Sequence, residues 1–90
     1  MNALEALTLA KQHKITGSSL HVLLVMIQDP PMRPTDIANG TGLSTASVTG
    51  ITDTLIRGGW AERHNSTQDR RSLYLTPTER ALEIFNDAIE

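Results

Sequence analysis

The sequence predicts a mainly α-helical domain with about five helices and a small antiparallel sheet of two or three strands. Three observations predict it. Apolar residues recur at the three- and four-residue spacing of helices, in segments bounded by Gly, Pro or a capping side chain. A Gly-Gly pair that starts at Gly58 then interrupts the helical pattern. Two strand-like segments follow, Trp60 to Arg63 and Leu73 to Leu75, and they enclose a polar loop from His64 to Ser72.

Composition limits what such a chain can be. Ninety residues suffice for a single domain, which we predict over residues 1–90. The chain has no Cys, so it has no disulfide bond, thiolate zinc site or thiol redox chemistry. The longest apolar run, Val22 to Ile27, is too short to span a bilayer, and the N-terminus does not resemble a signal peptide. We therefore expect a cytoplasmic protein without a membrane partner.

The charges are unevenly distributed. A net charge of -2 argues against a protein that binds nucleic acid over its whole surface. Basic side chains nevertheless gather between Thr54 and Ser72, whereas residues 78–90 are acidic. The arginines of the basic segment are Arg57, Arg63, Arg70 and Arg71. This separation would let a basic surface approach a phosphate backbone while the acidic tail points away from it.

The first helix is predicted over Asn2–Lys14. The Asn2 side chain can cap its N-terminus, and the basic residues near its C-terminus suit the helix dipole. Leu4 and Leu7 share one face, with small alanines beside them. Gly17 is predicted to break the chain between this helix and the next.

The second helix is predicted to be capped by Ser18 or Ser19 and to run to about Gln28. Its inward face is the set of apolar residues Leu20, Leu23, Leu24 and Ile27. Asp29-Pro30-Pro31 ends the helix, because proline cannot continue the backbone hydrogen-bond ladder.

The third helix follows a single predicted strand residue, Met32. Pro34 opens this helix, because proline is tolerated in a first turn. Ile37-Ala38 faces the core. Gly40-Thr41-Gly42 is the predicted turn that follows, with Leu43 as an apolar plug.

The fourth helix is predicted over Thr45–Arg57, with Ser44 as its N-cap. Val48, Ile51 and Leu55 recur on one face and are expected to be buried. The other face keeps Thr45, Ala46, Thr49, Gly50 and Asp53, with Ser47 near its edge.

The last helix is predicted over residues 78–90, capped by Thr76 or Thr78. Its apolar stripe consists of Leu82, Phe85 and Ile89. Two interpretations of this stripe stay open. It packs on the core of its own domain, or it forms a dimer interface together with the leucines of the first helix.

An ordered set of residues runs through the third helix, the fourth helix and the hairpin. The set is Ile37-Ala38, Gly42-Leu43-Ser44, Val48-Thr49, Asp53, Leu55, Gly59-Trp60, Glu62-Arg63, Asp69-Arg70-Arg71 and Leu75-Thr76-Pro77. In these residues the chain resembles the MarR family of bacterial winged-helix transcription regulators. The most specific part is Asp69-x-Arg71 followed by Leu75-Thr76. The resemblance implies a winged helix-turn-helix over residues 34–76, with flanking helices at 2–14 and 78–90 as a candidate dimer interface.

The resemblance implies a homodimer that binds double-stranded DNA and regulates transcription, most simply as a repressor. Helix Thr45–Arg57 would enter the major groove. Arg71 would reach into the flanking minor groove, with Asp69 orienting its guanidinium. The full set of predicted DNA-binding residues is Arg33, Ser44, Thr45, Ala46, Ser47, Thr49, Gly50, Arg57, Arg70 and Arg71.

Physical reasons support these assignments. A helix N-terminus presents unpaired N–H groups that suit a phosphate. Short side chains let a helix approach base edges closely, and Thr and Ala methyl groups can pack on thymine methyls. A narrow A·T-rich minor groove concentrates negative potential, which attracts an inserted arginine.

A second function stays open, namely a winged helix that docks on another protein as a subunit or inhibitor of a nucleic-acid machine. The acidic balance and Gly50 favour it, and so do terminal helices shorter than those that build the dimer in the MarR family. The shortness of those helices also puts the usual pocket for a small-molecule effector in doubt.

No catalytic or metal-binding pattern is apparent in the sequence. We find no nucleophile–base pair, carboxylate pair, phosphate-binding Gly loop or cluster of metal ligands. We therefore expect no enzymatic activity, no cofactor and no metal site.

Overall fold

The computed structural model describes residues 2–65 and 73–85. Within these residues, five helices and two strands follow one another along the chain. They are α1 (Ala3–Gln12), α2 (Gly17–Gln28), α3 (Pro34–Thr41), α4 (Thr45–Arg57), β1 (Ala61–Asn65), β2 (Leu73–Pro77) and α5 (Glu79–Phe85). The predicted mainly α class with a small hairpin is confirmed.

The first helix begins where the sequence predicts and ends earlier. The Asn2 side chain accepts a hydrogen bond from the Glu5 N–H at 2.8 Å, which confirms the cap. The helix stops at Gln12, because Lys14 has a φ of 60° that a right-handed helix does not allow. The predicted break at Gly17 is wrong. The chain turns at Lys14, and Gly17 is the first residue of α2.

Alanines, not leucines, form the inward face of α1. Ala6 and Ala10 are each 1% exposed, whereas Leu4 and Leu7 expose 73% and 43% of their surface. Small side chains let the helix axis approach α2 closely, since no bulky group separates the two backbones. The shared face of Leu4 and Leu7 therefore lies on the surface of the described chain.

The second helix is capped by Thr16, so the prediction of Ser18 or Ser19 is wrong. Thr16 Oγ1 accepts a hydrogen bond from the Ser19 N–H at 3.2 Å, and the Thr16 backbone is extended as a cap requires. The buried residues of α2 are Ser19, Leu20, Val22, Leu23, Met26 and Ile27. Leu24, which we predicted to face inward, is only half-buried. The helix packs against α1, α3, α4 and β2, which explains why it is buried over more than one face.

The third helix begins at Pro34 as predicted and continues through Gly40-Thr41, so the predicted turn is too long. Gly42 alone reverses the chain with a φ of 78°, a conformation that glycine adopts without a steric penalty. A Cβ on Gly40 would lie 2.8 Å from Val25 Cγ1, so this glycine lets α3 pack closely on α2. Leu43 is half-buried against the core, in agreement with its predicted role as a plug.

The fourth helix has the predicted bounds, Thr45–Arg57. Val48 and Leu55 are buried as predicted, and Ile51 is half-buried. Thr52 is also buried, at 2% exposure, although its polar side chain gave no signal for this in the sequence. Its hydroxyl donates to a carbonyl one turn back, which satisfies the buried oxygen.

The two strands pair in antiparallel fashion, with Ala61 opposite Pro77 and Arg63 opposite Leu75. Strand β1 starts one residue later and ends two residues later than predicted, and β2 extends two residues further. Met32 exchanges two backbone hydrogen bonds with Leu75, at 3.0 and 2.8 Å. This bridge confirms the predicted single strand residue and ties the hairpin to the segment before α3.

The last helix packs on the core through Phe85. Thr78 caps it, since its side chain accepts a hydrogen bond from the Ala81 N–H at 3.3 Å. Phe85 is fully buried and meets the Trp60 ring edge-on, with 5.7 Å between the ring centroids. Leu82 is exposed, so the inward face is Ala81 and Phe85 rather than the predicted Leu82–Phe85 stripe. Ile89 lies outside the described residues.

No helix in the described part of the chain combines the length and apolar character that a membrane span requires.

Candidate nucleic-acid interface

The N-terminal half of α4 presents an exposed and uncharged surface. It consists of Ser44, Thr45, Ala46, Ser47, Thr49 and Gly50, all exposed to solvent, and we refer to these six residues as the α4 surface. A Cβ built on Gly50 meets no atom within 4 Å, so the helix backbone is open to solvent there. A helix with such short side chains can bring its backbone close to the floor of a groove.

The cap of α4 leaves donors free at the helix N-terminus. Ser44 Oγ accepts a hydrogen bond from the Ser47 N–H at 3.1 Å and also lies 3.0 Å from Ser47 Oγ. The first turn of an α-helix has four N–H groups without an intrahelical partner, and this cap satisfies one of them. The remaining N–H groups and the positive end of the helix dipole suit an anion such as a phosphate.

The hydroxyls of Thr49 and Thr54 are already used as donors within the helix. Thr49 Oγ1 donates to the Thr45 carbonyl at 2.9 Å, and Thr54 Oγ1 donates to the Gly50 carbonyl at 3.1 Å. In this geometry the Thr49 oxygen instead offers its lone pairs, so it would accept hydrogen bonds from base amino groups.

Arg33 lies against the outer part of the hairpin, at Tyr74 of β2. Its backbone N–H donates to the Asp36 carboxylate at 3.1 Å, and this hydrogen bond caps the N-terminus of α3. Its guanidinium donates to the Tyr74 hydroxyl at 3.1 Å and lies 5.3 Å from the centroid of that ring. The structure thus joins the start of α3 to strand β2, a contact between residues 41 positions apart that the sequence did not indicate.

A second contact joins β1 to α4. Arg63 Nη2 donates to Asp53 Oδ1 at 2.6 Å, and the two side chains are about half exposed. Arg57 is exposed in the last turn of α4, and a cleft of about 290 Å³ is lined by Asp53, Ile56, Arg57 and Arg63. Sequence reasoning missed the pair, because its ten-residue spacing crosses the turn at Gly58-Gly59 and depends on the angle of the hairpin.

The predicted minor-groove contacts cannot be placed. Asp69, Arg70 and Arg71 lie outside the described residues, and their DNA-binding and orienting roles stay predictions. The described strands end at Asn65 and Leu73, which face each other at the outer end of the hairpin.

Two further features bear on ligands. An apolar groove of about 270 Å³ between α1 and α2 is lined by Ala3, Ala6, Leu7, Gly17, Leu20, His21 and Leu24. Among residues 2–65 and 73–85, no three His, Asp or Glu side chains are arranged to hold a metal ion.

The chain belongs to the MarR family, whose model matches residues 15–73. It is 34% identical over 71 residues to the HTH-type transcriptional regulator YfiV of Bacillus subtilis, a match that covers 79% of this chain and 44% of that protein. It is also 34% identical over 58 residues to the transcriptional repressor MprA of Escherichia coli K12, covering 64% of this chain and 33% of that protein. The chain thus spans less than half of the length of these two curated relatives.

Solved structures share the fold. A structure of reduced AbfR bound to DNA superposes with a TM-score of 0.81 at 27% identity, covering 98% of this chain and 64% of that one. The transcriptional regulator Tm0710 from Thermotoga maritima gives a TM-score of 0.83 at 24% identity, with coverages of 96% and 61%. The similarity to Tm0710 supports the winged-helix fold only and is not evidence of function.

Proposed function

We propose that this protein is a transcriptional regulator that binds double-stranded DNA at specific sequences, most simply as a repressor. One observation carries the proposal, namely the exposed, uncharged and capped α4 surface beside a β-hairpin. The family membership, a relative named as a transcriptional repressor and the DNA-bound AbfR structure support it. The same comparisons favour it over a winged helix that only docks on other proteins.

The proposed contacts divide between two grooves. Helix α4 enters the major groove with its N-terminus foremost, and Thr45, Ala46 and Thr49 read base edges. Ser44, Ser47 and the bare backbone at Gly50 approach the adjacent phosphates. Arg33 and Arg57 bind the phosphate backbone on either side of this surface. Arg70 and Arg71 reach the minor groove, and Asp69 orients the Arg71 guanidinium.

The proposed assembly is a homodimer built from a single domain over residues 1–90. Three leucines, Leu4, Leu7 and Leu82, are exposed on the terminal helices, where a second copy of the chain would cover them. A two-fold dimer binds a pseudo-palindromic site whose half-sites lie about one helical turn of DNA apart. We place the protein in the cytoplasm, where bacterial DNA is available, and assign it no enzymatic activity.

The test is selection from a pool of random-sequence duplex DNA, with the bound duplexes sequenced. The wild type is expected to enrich an inverted repeat. Thr49→Glu, which places a negative charge on the α4 surface, should abolish enrichment. Gln28→Glu is the matched control, because it adds the same charge at the exposed end of α2, outside the α4 surface.

Two results would contradict the proposal. The first is that the wild type enriches no sequence even at low salt. The second is that Thr49→Glu enriches the same repeat as the wild type, which would remove α4 from the DNA interface.

A further inference from the structure

Burial anchors the hairpin at its base and, on strand β2, as far out as Leu75, which lies opposite Arg63. Ala61 and Pro77, which pair at the base, are buried, whereas the other four residues of β1 are exposed. The connection to α4 is short and passes through Gly58 and Gly59, the second of which has a φ of 80°. Strand β1 beyond Ala61 is therefore held by its pairing with β2 and by polar side-chain contacts, because none of its own outer residues is buried.

Besides the Met32–Leu75 bridge, two polar side-chain contacts hold the hairpin against the rest of the domain, one on each strand. On one side, Arg33 donates to the Tyr74 hydroxyl of β2. On the other, Arg63 donates to Asp53 of α4 at 2.6 Å. Among the residues that the structure describes, Arg63 is the one side chain of β1 with a hydrogen bond to a helix.

The location of Asp53 calls for a physical reason. It follows Thr49 by four residues and Gly50 by three, so it lies on the same side of α4 as the α4 surface. A carboxylate there would repel DNA phosphates unless a cation compensates it. The Asp53–Arg63 pair is also half exposed, and such pairs contribute little to folding. We therefore expect the Asp53–Arg63 pair to affect the position of the hairpin relative to α4 more than the free energy of unfolding.

We propose that Asp53 and Arg63 are positioning residues that fix the angle between the hairpin and α4, and with it the spacing between the two grooves that a protomer contacts. This inference rests on the proposed DNA-binding function. It assigns to Asp53 and Arg63 the role of holding the hairpin and α4 at the angle that DNA binding requires. Arg63 acts through Asp53 and not as a phosphate contact.

A double-mutant cycle on a duplex selected from the random pool separates these roles. Asp53→Asn and Arg63→Gln are each expected to weaken binding about threefold, the scale of an exposed ion pair. The double variant should bind no more weakly than either single variant, because both remove one shared interaction. The salt dependence of Asp53→Asn should match the wild type. Glu83→Gln, which removes an exposed carboxylate of α5, is the control and should not weaken binding.

The opposite pattern overturns the proposal. If Arg63 binds a phosphate directly, Asp53→Asn frees it and tightens binding, while Arg63→Gln lowers the salt slope by about one per protomer. Additive losses in the double variant would also exclude a shared role.

A measurement without DNA tests the geometry independently. The chain has no Cys, so Asn39→Cys and Asn65→Cys provide one specific pair of spin labels, on α3 and on the end of β1. The distance distribution should broaden in Asp53→Asn and stay narrow in Glu83→Gln. An unchanged distribution in Asp53→Asn would refute the positioning role, even if DNA binding is found. Conversely, if the wild type binds no DNA but Asp53→Asn still broadens the distance distribution, only the proposed function is refuted.

Discussion

At the scale of single residues, Gly40 of α3 is required for helix packing, whereas Gly50 of α4 is explained only by the proposed DNA interface. Gly50 faces open solvent, whereas a Cβ on Gly40 would meet Val25. A glycine in a helix interior costs about 0.5–1 kcal/mol relative to alanine. At Gly40 the close packing of α3 on α2 offsets this cost. Gly50 makes no packing contact that would offset it.

Gly50→Ala is therefore expected to raise the free energy of unfolding by about 0.5–1 kcal/mol, measured by urea denaturation. The same variant should bind DNA more weakly, since the added methyl separates the helix backbone from the groove. Gly40→Ala is the contrasting variant and should be destabilised. Overpacking typically costs about 1–3 kcal/mol, and the β-branched Val25 cannot easily move aside. A more stable Gly50→Ala with unchanged affinity would place Gly50 outside the interface.

The cap of α2 offers a second test at this scale. Thr16→Ala should lower the free energy of unfolding by about 1 kcal/mol, because it removes the acceptor for the Ser19 N–H. Ser18→Ala alters an exposed hydroxyl and should change stability by less than about 0.5 kcal/mol. Equal losses in the two variants would show that both residues contribute to the cap.

At the scale of the elements, α5 is held by one buried aromatic residue and one cation. Arg80 lies over the Trp60 ring, 3.9 Å from its centroid, and donates to the Gly58 carbonyl at 2.9 Å. Phe85 contacts the same indole from another direction. These contacts join the last helix to the turn that connects α4 with the hairpin.

Phe85→Ala is expected to destabilise the domain by about 3–5 kcal/mol, which is large for a chain of this size. Leu82→Ala should change the stability of the monomer by less than about 1 kcal/mol, because Leu82 is exposed. Urea denaturation at low protein concentration measures both. Similar losses in the two variants would restore the interpretation of Leu82 and Phe85 as one buried stripe.

The sequence predicted elements wherever the signal was local. The bounds of α4, the Asn2 and Ser44 caps and the extended conformation at Met32 follow from residues within a few positions of each other. The turn at Lys14 was missed, because a positive φ at lysine is unusual and Gly17 looked like the better break. The inward face of α1 was also missed, because alanines carry a weak periodic signal and the leucines beside them carry a strong one.

The candidate site was predictable in part for the same reason. The α4 surface follows from a helical period and a cap, and the structure places all six of its residues in solvent. The contacts Arg33–Tyr74 and Asp53–Arg63 join distant positions, so they require the three-dimensional arrangement of hairpin and helices. Asp69, Arg70 and Arg71 rest on the sequence alone.

At the scale of the whole molecule, three leucines are exposed on the terminal helices α1 and α5, and an apolar groove lies between α1 and α2. We expect the wild type to sediment as a dimer and its apparent stability to rise with protein concentration. Leu4→Asp combined with Leu7→Asp should yield a monomer, whereas Thr8→Asp combined with Gln12→Asp adds the same two negative charges to exposed positions of α1 and should leave the dimer intact. Wild type that sediments as a monomer at every concentration would exclude this assembly.

The most direct test of the central claim is a salt titration of binding to random-sequence duplex DNA, for the wild type and for Arg71→Ala. We predict that the logarithm of the wild-type binding constant falls linearly with the logarithm of the salt concentration. For Arg71→Ala, we predict weaker binding and a slope smaller by about one per protomer. A wild type that binds no duplex at low salt would contradict the account, and the partner of the α4 surface would then be a protein.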